Sequence, residues 1–77
     1  MTVAQLKNDL KNLIHYATFE YKGKRCGVDP VSKKHFDMWY GENDYAAKSI
    51  DEVMSHPLFD GKTLPEIFDD IIDLEVF

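Results

Sequence analysis

The sequence holds a single cysteine, Cys26, in 77 residues. One thiol cannot close an internal disulfide. The expectation is a reducing, cytoplasmic setting with Cys26 as a small buried hydrophobe. No apolar run approaches the roughly 20 residues that a membrane span needs. Residues 1–15 carry lysines and asparagines through their middle, which argues against a secretory leader there. Each of the four glycines stands alone. There is thus no phosphate-cradling glycine loop and no Gly-x-Ser-x-Gly elbow. His15, His35 and His56 are scattered and share no zinc-ligand spacing with Cys26. No run of alternating Asp and Asn forms a calcium loop. These absences lead us to expect no cofactor, no metal site and no enzyme. The least poor acid–base pair is His35 with Asp37, which share one strand face.

What is present describes a folded chain. Hydrophobic residues make up 44% and charged residues 30%, which excludes a disordered chain and fits one domain over residues 1–77. A domain of this size buries only about 60% of its unfolded surface, so one thin core is expected and no deep cleft. The net charge is −5, unevenly spread. Residues 1–34 hold seven basic and three acidic side chains, and residues 35–77 hold two and eleven. That asymmetry raises the question of partners; internal neutralisation on folding is the plain alternative.

Local patterns predict the elements. Val3, Leu6, Leu10, Leu13 and Ile14 recur at helical spacing, with Thr2 and Gln5 as a capping box, giving a helix to about His15. Residues 17–28 read as a hairpin about Lys22-Gly23, pairing Tyr21 with Lys24, Phe19 with Cys26 and Ala17 with Val28. Asp29-Pro30 should break that strand. A third strand, 35–40, turns at 41–44 into a fourth, 45–48, with Tyr40 facing Tyr45, Met38 facing Ala47, Trp39 facing Ala46 and Asp37 facing Lys48. Ser49 with Glu52 starts a short helix that stops at His56-Pro57. Leu58 to Gly61 is a turn with an apolar plug. Thr63 with Glu66 starts a last helix, whose stripe is Leu64, Ile67, Phe68, Ile71 and Ile72. Leu74 to Phe77 adds a final turn or a short strand. The predicted fold is α+β: a small antiparallel meander of three to four strands, packed on one face by an N-terminal helix and two short C-terminal helices, in the order α-β-β-β-β-α-α. Its buried face carries Phe19, Cys26, Phe36, Met38, Tyr40 and Ala47.

Two surfaces stand out. The lone tryptophan falls on the polar sheet face, and tryptophan is enriched among binding hot spots. The first expectation is a protein-interaction module whose face comprises Trp39, Asp37, Arg25 and Lys48. Trp39 stacking on a nucleobase beside Lys24 and Arg25 is a weaker reading, and no RNA-binding aromatic motif accompanies it. Cover by a helix, by the tail or by a second copy in a homodimer is the structural alternative. The second surface is acidic. Glu66, Asp69, Asp70 and Asp73 recur at i, i+3, i+4 and i+7, one face of the predicted last helix. They suggest a nucleic-acid mimic for a basic partner, a neighbour for the Lys22–Arg25 hairpin, or a solvated face. No membrane partner is expected.

Overall fold

The computed structural model describes all 77 residues. Helix α1, Val3–Lys11, is capped by the reciprocal Thr2–Gln5 box. It ends earlier than the apolar spacing predicts. Asn12 closes it, and Leu13 adopts a left-handed φ of 58°. Leu6 and Leu10 enter the core, whereas Leu13 and Ile14 are exposed. The chain must reverse there to reach β1, Ala17–Tyr21, and that reversal takes the last two apolar positions off the helix.

The sheet has five antiparallel strands in the order β4-β3-β2-β1-β5. The other four are β2, Lys24–Ser32; β3, His35–Tyr40; β4, Asn43–Ala47; and β5, Ile72–Val76. The first hairpin has the predicted register, with positive φ at Lys22 and Gly23. Three expectations need correction. Asp29-Pro30 does not end β2, which runs on against β3 to Ser32. Pro30 lies past Val28, the last partner of β1, so its missing N–H faces a side with no neighbouring strand. The β3–β4 turn is two residues, Gly41-Glu42, not four, and the pairing slides by two: Asp37 faces Ala46 and Trp39 faces Asp44. A slide of two preserves the faces and changes the neighbours. Finally, the last helix stops early. Helix α3 is Leu64–Ile67, a 3-10 turn covers Phe68–Asp70, and the tail pairs with β1 as the fifth strand.

The inner sheet face meets α1 and the short helix α2, Ile50–Ser55, and α3 adds Leu64 and Ile67 to the same core. Phe19, Cys26, Phe36, Met38, Tyr40 and Ala47 are all buried there, as the alternation predicts. Phe59 is the plug of the α2–α3 turn. It is fully buried, its ring 5.6 Å from Phe19 and 6.2 Å from Tyr40. Burying such a ring contributes about 1.5–3 kcal/mol and ties the turn to the sheet. The Thr63–Glu66 box forms in full. At α2 only half a box forms: Ser49 accepts from the Glu52 N–H, while the Glu52 carboxylate takes the Lys48 N–H and the Tyr45 hydroxyl. Burial pushes the Cys26 thiol up to about 11. No helix is long and apolar enough to cross a membrane.

Candidate interaction face

The helices leave the outer sheet face uncovered, and six residues form two rows across its β2, β3 and β4 side. Gly27, Trp39 and Asp44 stand side by side on β2, β3 and β4, and Asp29, Asp37 and Ala46 form the next row. Directly paired residues share a face, so all six project outward. Gly27 has no side chain, and the indole takes that space. A Cβ placed on Gly27 would lie 2.2 Å from Trp39 Cζ2 and 2.6 Å from Cη2. The six-membered ring therefore lies over the β2 backbone, and Trp39 is half-buried by its own sheet. None of the expected covers, whether helix, tail or second copy, is needed to account for that burial.

Ala46 is the other short residue of the group. Beside the indole a depression of about 440 Å³ opens, bordered by Asp29, Asp37, Trp39, Asp44, Tyr45 and Ala46. Its carboxylates differ in their engagement. Asp37 Oδ1 lies 2.7 Å from His35 Nε2. Asp29 and Asp44 are exposed and take part in no ion pair. Asp29 also stands directly opposite Asp37, a like-charge pairing that costs on the order of a few tenths of a kcal/mol. Further out, Glu75 faces Thr18 and Glu20 faces Arg25 across the β5–β1 and β1–β2 pairs.

The sequence-predicted residues are only partly brought together. Trp39 and Asp37 are adjacent members of the face. Arg25 shares it but is held toward β1, its Nη2 donating to Thr18 Oγ1 at 3.4 Å. Lys48 lies beyond β4 and is not opposite Asp37, because the shorter turn slides it off the strand. Lys24 turns to the inner side, over the Tyr40 ring at 5.1 Å. The arrangement expected for a nucleic-acid stack, with Lys24 and Arg25 beside the indole, is thus absent.

The acidic helix face does not form. Glu66 is used in the α3 cap, Asp69 and Asp70 lie in the 3-10 turn, and Asp73 sits in β5 with a φ of 54°. Four residues spread over three backbone conformations share no helical face. The basic hairpin is also answered elsewhere: Lys22 Nζ reaches Asp60 Oδ2 at 2.8 Å.

Gly27, Asp29 and Asp44 are the members that the sequence reading did not assign. Continuing the period-two pattern of β2 through Pro30 would have placed Asp29 outward, and a two-residue Gly41-Glu42 turn would have set Asp44 beside Trp39. No three His, Cys, Asp or Glu side chains are grouped to hold a metal ion. Comparison with protein-family models, with curated proteins and with solved structures returned no match.

Proposed function

We propose that the protein is a small, non-enzymatic, cytoplasmic interaction module that binds a protein partner through the outer sheet face centred on Trp39. The observation that carries this reading is the indole laid over Gly27 beside an open depression. A large rigid aromatic, half held by its own sheet and half open to solvent, loses little conformational entropy when a partner covers it. A lone buried cysteine accords with a reducing compartment.

The test uses the full chain as bait, as wild type, Trp39→Ala and a Lys62→Ala control at an exposed site away from the face. Circular dichroism first establishes that Trp39→Ala is folded. The expected outcome is a set of captured proteins common to wild type and the control and lost from Trp39→Ala. Capture that survives in a folded Trp39→Ala protein overturns the proposal, and so does loss of fold, which makes Trp39 a structural residue. Trp39 emission that shifts blue with rising protein concentration would name a second copy of this chain as the partner.

A further inference from the structure

Resting on that reading, we infer that the partner segment is basic and that the depression beside Trp39 takes an arginine side chain. Shape comes first. The indole fills the space over Gly27, and Ala46 is the shortest side chain bordering its other side, so a wall of indole is left with free space next to it. Charge comes second. Three carboxylates border that space, two of them unpaired, and Asp29 and Asp37 oppose each other across the β2–β3 pair. A cation seated among them relieves the repulsion. Within the chain only His35 reaches one of the three, at Asp37; Arg25 donates to Thr18 and Lys48 lies off the strand, which leaves Asp29 and Asp44 without a partner.

Arginine suits this geometry better than lysine. Its planar guanidinium can stack on an indole while its donors fan out to several carboxylates. An ammonium offers a point charge and no plane. The edge position of β4 gives the segment its path. Tyr40 and Asn43 flank the two-residue turn as a hydrogen-bonded pair, so by alternation the backbone groups of Asp44 and Ala46 point away from β3. An extended peptide can add along them, its alternate side chains falling beside Asp44 and Ala46 at the depression.

The experiment titrates a hexaarginine peptide into the full chain, read by Trp39 fluorescence and by calorimetry. Three proteins are compared: wild type, Asp29→Asn with Asp44→Asn, and Asp69→Asn with Asp70→Asn. The two double variants carry the same net charge. The expected result is saturable binding to wild type, about tenfold weaker binding after neutralising Asp29 and Asp44, and little change after neutralising Asp69 and Asp70. Hexalysine should bind more weakly than hexaarginine. Equal loss in both double variants would reduce the effect to bulk charge and overturn the inference. So would absence of saturation up to about 1 mM peptide. The two proposals fail separately. Trp39-dependent protein capture without hexaarginine binding removes only the basic-segment inference. Capture independent of Trp39 removes the interaction face itself.

Discussion

Trp39 and Gly27 act as one unit, because the ring is set by what its neighbour lacks. Any β-carbon at position 27 would occupy the place of Cζ2 and Cη2. Gly27→Ala should therefore push the indole off the β2 backbone and into solvent. The expected outcome is a red-shifted, more easily quenched emission and a loss of about 1–3 kcal/mol in urea denaturation, the usual scale for a steric insertion. Unchanged emission would mean that the ring is not seated on Gly27. Which face Trp39 takes was legible from the alternation of Phe36, Met38 and Tyr40. The seat was not, since a glycine carries no side chain to mark a face.

At the scale of elements, the C-terminal segment shows two periodicities in competition. Glu66, Asp69, Asp70 and Asp73 fit a helix, while Ile72, Leu74 and Val76 alternate with Asp73 and Glu75 as a strand does. The strand prevails because β1 would otherwise leave its outer backbone groups unpaired, and pairing with β5 satisfies them. Asp73, with its φ of 54°, sits where the β1–β5 register is irregular. Aspartate tolerates that left-handed conformation and glycine adopts it freely. Asp73→Gly should hence leave stability unchanged or slightly raised in thermal unfolding. Asp73→Ala separates the two conformations: in a helix interior it would gain about 0.5 kcal/mol, whereas at a left-handed φ it should lose stability, so a gain contradicts the strand. The first hairpin was fully legible, since Lys22-Gly23 sits between matched apolar residues. The second was misjudged by two residues because Gly41-Glu42-Asn43-Asp44 contains several turn formers and only the pairing itself shows which two are used.

For the molecule as a whole, the charge split along the chain becomes a split between surfaces. Two ion pairs join the halves, Lys22 with Asp60 and Lys7 with Asp51 at 3.7 Å. The remaining acids include those on the outer sheet face. Acid should weaken the fold through three carboxyls. The Tyr45 hydroxyl and then the Lys48 N–H hold Glu52 below its ordinary value; the Thr63 N–H and then its hydroxyl do the same for Glu66; the Lys22 hydrogen bond and charge do so for Asp60. A lowered folded pKa adds stability that is present above the unfolded value and is lost as pH falls through the folded one. Stability should accordingly decline from the ordinary carboxyl values of 4.5 and 3.8 downward. Glu52→Gln, which can still accept from Tyr45, should make that acid limb shallower in urea titrations at several pH values. An unchanged limb would exclude Glu52 as a contributor. Tyr45 works in the opposite direction: donating to Glu52 raises its pKa above 10.0, so its contribution is present below that value and is lost as pH climbs through the raised one.

Local patterns along the chain are enough to give the α+β class, the inner face of the sheet, two full capping boxes and the first hairpin. Those follow from side-chain periodicity and from hydrogen bonds within a few residues of each other. The tertiary structure alone decided the fifth strand, the two-residue slide of β4 and the meeting of Gly27, Asp29, Trp39 and Asp44. Each depends on which strand lies beside which, a long-range choice made by backbone pairing and core burial that no local spacing encodes.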